Sequence, residues 1–126
     1  MIKEFTDLLA WQNSHTLVLK IYKLTDKFPQ KELYGLGDQI RRAVVSITSN
    51  IAEGFGRHTY KEKIQFYYQA HGSLTEVKNQ LIIAKDVNYI SQEDFEDTLT
   101  LLTSAHKLLL GLISKTKLYL SESPRI

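Results

Sequence analysis

Basic side chains gather around a glycine-containing turn in the first half of the chain. The turn is Gly54-Phe55-Gly56, and the candidate residues are Arg41, Arg42, Arg57, His58, Lys61 and Lys63. Guanidinium and ammonium groups neutralise phosphate, and the free amides at the start of a helix favour an anion. One hypothesis is therefore that this turn binds phosphate groups or RNA.

The same residues also fit a solvated surface with interhelical salt bridges, since Glu53 and Glu62 offset part of the charge. A third hypothesis is a hydrolase acting on phosphate esters at the turn. No serine or lysine stands in a pattern typical of an activated nucleophile, so we predict no catalytic residue. Nucleotide binding at the turn is not expected, because 54–56 lacks the third glycine and the preceding strand of a dinucleotide fingerprint.

Aromatic residues follow the basic turn, at Tyr60, Phe66, Tyr67 and Tyr68. Unpaired bases stack on such rings. Core packing and subunit contact are the expected roles for most of them. Tyr60 is the exception, because it lies beside Lys61 in the first turn of the predicted helix.

Histidine is the remaining residue type that could do chemistry. His15, His58, His71 and His106 stand alone in the sequence, without the Glu-x-x-His or His-x-x-x-His spacing that helical bundles use to hold metals. His71 and His106 fall near apolar helix faces, where a hydrogen-bonded, partly buried histidine is the expected role. The sequence therefore predicts no metal site and no cofactor.

Four long helices are predicted to position these residues. Apolar residues recur at helical spacing over residues 8–27, from 29–32 to 53, from 59 to a turn at 86–89, and from 91 to about 120. Thr59 with Glu62 forms a capping box, and Ser91 is an N-cap. Leu33 is expected among the core-facing residues, and Tyr22 is expected as a large anchor that flanks the core face of the first helix. Pro124 lies beyond the last helix, and residues 121–126 are expected to fray.

Two polar stripes run along the second and third helices, opposite their apolar faces. Ser and Asn are indifferent helix formers, so a merely solvated face would more often carry Lys, Glu and Gln. We therefore interpret the stripes as surfaces that meet another surface, with Arg42 and Glu76 as a candidate charge pair. The stripe residues are Gln39, Arg42, Ser46, Asn50 and Glu53 on the second helix, and Gln65, Gln69, Gly72, Glu76 and Asn79 on the third.

The fourth helix carries more apolar surface than one core needs. Its apolar residues cover about 200° of the circumference, against roughly 100° for a single core-facing stripe. The surplus predicts contact between subunits, with a wider groove inside one chain as the alternative. Taken with the polar stripes, the predicted interface residues are Gln39, Asn50, Glu53, Glu76, Leu101, Leu108, Leu112 and Tyr119.

Composition places the chain among ordinary globular proteins. Its 126 residues suit a single domain spanning 1–126, and its formal net charge of +2 is too small to indicate nucleic-acid binding by itself. The absence of cysteine excludes disulfides and favours a reducing cytoplasm. The acidic, aromatic N-terminus does not resemble a signal peptide, and no apolar run is long enough for a membrane span.

Motifs spread along nearly the whole chain resemble one bacterial family. They are Trp11-Gln12, Tyr22, Thr25, Phe28-Pro29, Glu32, Tyr34-Gly35-Leu36, 39–43, Ser46-Ile47, 49–54, Gly56-Arg57, Ala70, Gly72-Ser73 and Glu76. The series resembles the 23S rRNA intervening sequence protein family, which is named for the location of its genes. It is also similar to the accessory protein of diversity-generating retroelements.

The resemblance implies an all-α, antiparallel up-and-down four-helix bundle that assembles into a homo-oligomeric ring, a homopentamer. It also implies RNA or a reverse-transcriptase-like protein as partners. With the basic turn, this predicts a non-enzymatic cytoplasmic scaffold or adaptor that presents repeated basic patches to RNA or to a nucleic-acid enzyme.

Overall fold

Four helices contain most of the described residues. The computed structural model describes residues 1–122, in which α1 spans Leu9–Thr25, α2 Leu36–Phe55, α3 Tyr60–Asp86 and α4 Gln92–Glu122. Short 3₁₀ turns, Phe5–Asp7 and Gln30–Glu32, precede α1 and α2. All regular structure in these residues is helical, and together the helices form a four-helix bundle.

The helix starts at Thr59 and Ser91 are confirmed. The Thr59 hydroxyl accepts the Glu62 N–H at 3.1 Å and donates to the Glu62 carboxylate at 2.9 Å. At the start of α4, the Ser91 hydroxyl accepts the Asp94 N–H at 3.0 Å. Both hydroxyls satisfy an amide that has no partner within its own helix.

The predicted start of α2 at residues 29–32 is wrong. Gly35, the residue before α2, has φ −105° and ψ −121°, which is not helical. The Glu32 carboxylate, in the preceding 3₁₀ turn, reaches forward to accept the Leu36 N–H at 2.9 Å. Leu33 lies in this connection and is exposed, so its predicted core position is also wrong.

The C-terminal end of the last helix also differs from expectation. Ser121 and Glu122 continue α4 as helix, so the expected fraying does not begin at residue 121. Residues 123–126, which include Pro124, lie outside the described part of the chain.

One hydrophobic core runs between the four helices. The predicted core faces of α2 and α3 are confirmed from Ile40 to Ile51 and from Tyr67 to Ala84. α1 contributes Leu17, Ile21 and Leu24 to the same core. Tyr22, predicted as a core-flanking anchor, is instead exposed, because it faces outward beside α2.

The helices meet at two chemically different ends. At one end, hereafter the loop end, the α1–α2 connection packs on the α3–α4 turn. There Lys27 Nζ lies 2.7 Å from Asp94 Oδ2, and the Tyr89 hydroxyl donates to Glu32 Oε2 at 2.7 Å. The opposite end, hereafter the turn end, carries the α2–α3 turn and the C-terminal half of α4.

Gly54 allows α2 and α3 to approach closely at the turn end. A Cβ atom at Gly54 would lie 2.8 Å from Tyr67 Cε1 and 2.9 Å from Phe66 Cβ. Gly72, the glycine expected to allow close helix approach, has no atom within 4 Å of such a Cβ. The close approach inside the chain therefore depends on Gly54, and Gly72 faces open space.

The described helices also bear on membrane association. None of them combines the length and the apolar character needed to cross a lipid bilayer.

Candidate nucleic-acid interface

The structure divides the six predicted cations into two groups. Arg41 and Arg42 lie near the start of α2, whereas Arg57 follows its end. At about 1.5 Å per helical residue, roughly 22 Å separates the two groups. They cannot act as one cluster within a single chain.

Both arginines at the start of α2 have partners within the chain. Arg41 Nη2 donates to the Leu33 carbonyl at 3.0 Å, which holds the α1–α2 connection against the helix. Arg42 Nε donates to Asp38 Oδ2 at 2.9 Å, one helical turn earlier.

The predicted pairing of Arg42 with Glu76 is not made among the described residues of one chain, and between subunits it stays a prediction. The two residues line the same shallow groove between α2 and α3. No ion pair joins them in the described part of the chain, where Arg42 pairs with Asp38 on its own helix. The Glu76 carboxylate instead accepts Gln80 Nε2 at 3.2 Å.

Lys63 stabilises the end of α2 from the first turn of α3. Its ammonium group donates to the Phe55 carbonyl and lies 5.3 Å from the Phe55 ring centroid. A cation at this position satisfies one of the last carbonyls of the helix and opposes its negative end. Partial burial lowers the pKa of Lys63. These contacts assign Lys63 mainly to the fold.

Arg57 is held over an aromatic ring and remains partly accessible. Its guanidinium carbon lies 4.5 Å from the Phe66 ring centroid, and Nη2 is 3.6 Å from Glu53 Oε2. The ion pair is long and exposed, so it contributes little to stability. The guanidinium keeps donors free to contact a phosphate group.

His58 and Lys61 complete the turn and are exposed. In the described residues neither side chain makes an ion pair or a hydrogen bond. Their accessibility agrees with a binding role and equally with a solvated surface.

α4 contributes further cations and a further ring to this end, and none of them was predicted to belong to the basic turn. Tyr119 packs against Tyr60 with ring centroids 5.6 Å apart, and Lys115 lies 6.0 Å from the Tyr119 centroid. Lys117 lies 4.9 Å from the Tyr68 centroid. We define the turn-end surface by its cations and rings: Arg57, His58, Lys61, Lys115, Lys117, Tyr60, Phe66, Tyr68 and Tyr119.

A cavity of ≈ 240 Å³ lies at the turn end and shares Tyr60, Lys115 and Tyr119 with the turn-end surface. Its lining includes two lysines, Lys63 and Lys115. It also includes four aromatic residues and a leucine, which are Phe55, Tyr60, Tyr67, Tyr119 and Leu112. Burial raises the pKa of Tyr67 to about 12, so its hydroxyl stays protonated at neutral pH. The cavity joins apolar and cationic groups in one place.

The predicted subunit interface residues fall into two classes. Gln39, Glu53, Glu76 and Tyr119 are exposed and available to another surface. Asn50 is half-buried, and its Nδ2 donates to the Ser46 carbonyl at 2.9 Å. Of the polar stripe on α2, Ser46 reaches α3, where its hydroxyl lies 2.8 Å from that of Ser73.

The predicted interface leucines Leu101, Leu108 and Leu112 are half-buried and pack against the core of the same chain. This packing agrees with the alternative of a wider groove within one chain. Their role between subunits stays a prediction.

Two histidines treated as isolated in the sequence are in contact. His71 Nε2 on α3 lies 3.0 Å from His106 Nε2 on α4, so the expectation that these residues stand alone is wrong. The expected hydrogen-bonded, partly buried state is confirmed. The described residues hold no group of three or more His, Cys, Asp or Glu side chains placed to share a metal.

Comparison with known proteins identifies one family and one fold. The family described as 23S rRNA-intervening sequence protein matches residues 6–111. The structure is similar to that of a protein of unknown function from the S23 ribosomal protein family of Bacteroides thetaiotaomicron VPI-5482, with a TM-score of 0.77 and 23% identity. The alignment covers 83% of this chain and 98% of that one. Among curated proteins, none matches this chain significantly.

Proposed function

The chain belongs to the 23S rRNA-intervening sequence protein family, and from that premise we propose that it is a non-enzymatic scaffold that binds RNA through the turn-end surface. The carrying observation is the repeated pairing of cations with rings at this end. Arg57 lies over Phe66, and Lys117 lies over Tyr68. His58 and Lys61 follow Arg57 in the sequence and are exposed.

Cations and rings together fit single-stranded RNA better than an isolated phosphate. Phosphate groups would contact Arg57, Lys61 and the α4 lysines, while unpaired bases would stack on exposed rings such as Tyr68. Base stacking tolerates any sequence, so we expect weak sequence preference. The modest net charge of +2 means that affinity would depend on local charge rather than on the whole surface.

We further infer an antiparallel, up-and-down arrangement of the helices. Its support is the order of the contacts: Ser46 meets Ser73 and Gly54 meets Tyr67, so that α3 advances as α2 recedes. Between α3 and α4, Tyr60 meets Tyr119 and His71 meets His106 in the same manner.

Assembly into a homopentameric ring is proposed from the family resemblance and from the exposed polar stripe residues. Five copies would repeat the turn-end surface around one axis. RNA bound by one surface would then meet the next at a high effective concentration, which multiplies a weak affinity. Light scattering should give five times the 14.5 kDa of one chain, and a monomer mass at micromolar concentration would contradict the ring.

The alternative of a phosphate-ester hydrolase has less support. The hydroxyl closest to the turn in sequence, that of Thr59, is engaged with Glu62 as a helix cap. Lys63 is engaged with the Phe55 carbonyl. Neither group is free to attack a phosphorus atom, so the geometry favours binding over turnover.

The test is fluorescence anisotropy with a labelled single-stranded RNA, and with the same RNA as a duplex. Each phosphate contact to a single strand adds about 0.7 to the slope of log affinity against log salt, so three contacts predict roughly a 20-fold loss from 50 to 200 mM salt. The single strand should bind more tightly than the duplex. Absence of binding at micromolar protein would overturn the proposal and direct the search to a protein partner such as a reverse-transcriptase-like enzyme.

A further inference from the structure

We propose that His71 and His106 form a bidentate site for a divalent transition metal that joins α3 to α4. The two Nε2 atoms are 3.0 Å apart, the ring centroids are 5.0 Å apart and the ring planes are inclined by 53°. Both residues are half-buried between the two helices. The proposal is independent of RNA binding.

The separation of the nitrogens suits two ligands of one metal ion. With metal–nitrogen bonds of about 2.05 Å, two imidazole nitrogens lie about 2.9 Å apart at a right angle and about 3.3 Å apart at a tetrahedral angle. The distance of 3.0 Å lies between these values. Little helix movement is needed to place an ion between the rings, on the solvent side of their present hydrogen bond.

Protonation of the pair also agrees with metal binding. When both rings are neutral, one ring carries its hydrogen on Nε2 and donates it to the Nε2 of the other. Burial, followed by the charges of His71 and Lys78, lowers the pKa of His106. Metal binding at both Nε2 atoms requires the donating ring to move its hydrogen from Nε2 to Nδ1, a change of tautomer that leaves both rings neutral.

The donor set selects the class of metal. Imidazole suits Zn²⁺, Ni²⁺ and Cu²⁺, whereas Mg²⁺ prefers oxygen ligands. The protein supplies two ligands and water would complete the coordination. The nearby Lys78 ammonium weakens binding of a cation, so we expect a moderate affinity that clamps two helices.

The experiment is thermal unfolding and isothermal titration of the full, tag-free chain with Zn²⁺ or Ni²⁺, compared with Mg²⁺. At 1 mM Zn²⁺ or Ni²⁺ we expect the Tm to rise by about 4 °C, since the ion binds the folded state preferentially. Mg²⁺ should leave the Tm unchanged. His71→Gln and His106→Gln should each weaken metal affinity at least tenfold, because one ligand cannot chelate.

The matched control is His58→Gln, which removes an exposed histidine at the turn end and should keep the wild-type response. Circular dichroism of the two site variants checks that the helices still form. A second readout is the Cu²⁺ electron paramagnetic resonance spectrum, which should show coupling to two nitrogens in the wild type and to one in His106→Gln. An equal metal response in the wild type and His71→Gln, or no response to Zn²⁺ and Ni²⁺, would overturn the proposal.

Discussion

The two ends of α2 carry similar cations that make different contacts. At the loop end, Arg41 donates to a backbone carbonyl, Arg42 pairs with Asp38, and Lys27 from the α1–α2 connection pairs with Asp94. At the turn end, Lys61 and His58 are exposed and Arg57 makes a long ion pair.

The difference shows that residue type does not decide the role of a cation. A basic side chain near an acidic neighbour or a free carbonyl is used by the fold, as Arg42 and Arg41 are. Lys117 lies over the Tyr68 ring and remains exposed. We therefore expect the loop end to respond to mutation through stability and the turn-end surface through binding.

The substitution with the largest expected effect on stability is Gly54→Ala, which tests how tightly the turn end is packed. Gly54→Ala would place a Cβ within 3 Å of both Phe66 and Tyr67, and overpacking of this kind costs about 1–3 kcal/mol. Urea denaturation should show a lower midpoint.

Gly72→Ala is the matched control for this packing effect. It adds the same methyl group to open space on α3 and should stabilise by about 0.5–1 kcal/mol through helix propensity. Equal effects of the two substitutions would mean that the Gly54 contact is not restrictive.

Charge reversal separates the two ends by function. Arg57→Glu with Lys61→Glu should reduce the affinity for single-stranded RNA at low salt roughly tenfold or more, and lower the salt slope by about 1.4. Lys31→Glu with Arg42→Glu reverses two exposed charges near the loop end and should leave the affinity within about twofold. Anisotropy titrations measure both. Similar losses in the two double variants would indicate a diffuse electrostatic attraction instead of a site.

Removal of the helix cap at Thr59 should have a smaller effect on stability and tests the local geometry of the turn. Thr59→Ala removes the acceptor for the Glu62 N–H and should cost about 1 kcal/mol. The control is Thr100→Ala on the exposed side of α4, whose hydroxyl bonds only to its own helix. That variant should stay within about 0.5 kcal/mol of the wild type in the same denaturation assay.

Acid should weaken the contacts of the loop end, which is the smallest of the expected effects. The Tyr89 hydroxyl, then the Leu36 N–H, lowers the pKa of Glu32, and the bond from Lys27 lowers that of Asp94. A carboxylate with a depressed pKa stabilises the fold above its unfolded pKa, and this contribution is lost as pH falls through the folded pKa.

The free energy of unfolding should therefore decline as the pH falls below about 4.5, the ordinary value for a glutamic acid. In Glu32→Gln the decline should be shallower, as measured by urea denaturation between pH 3 and 6. A curve parallel to that of the wild type would contradict the role of Glu32.

Sequence periodicity was sufficient to predict the four helices because each helix buries an apolar face, whereas their arrangement as a bundle came from the family resemblance. Ile40, Val44, Ile47 and Ile51 recur at helical spacing, and all four are buried. The same periodicity failed at Leu33, since a side-chain cap from Glu32 and the backbone of Gly35 begin α2 later. Those two effects depend on the folded connection and leave no period in the sequence.

The site could be predicted only in part, because its members come from distant positions. Arg57, His58 and Lys61 are close in sequence, so the turn was visible. Lys117 reaches Tyr68 only when α4 docks against α3. One signal was available. Where neighbouring helices run in opposite directions, the numbers of facing residues have a nearly constant sum. Tyr60 with Tyr119 and His71 with His106 both fit this relation.

The most direct test is ultraviolet cross-linking of single-stranded RNA to the chain, with the cross-linked peptides mapped by mass spectrometry. Exposed tyrosines stand at both ends, with Tyr68 and Tyr119 on the turn-end surface and Tyr22 and Tyr34 nearer the loop end. Cross-links concentrated on Tyr60, Tyr68 and Tyr119 are the predicted result. Cross-links concentrated on Tyr22 and Tyr34 would contradict the assignment of RNA binding to the turn-end surface.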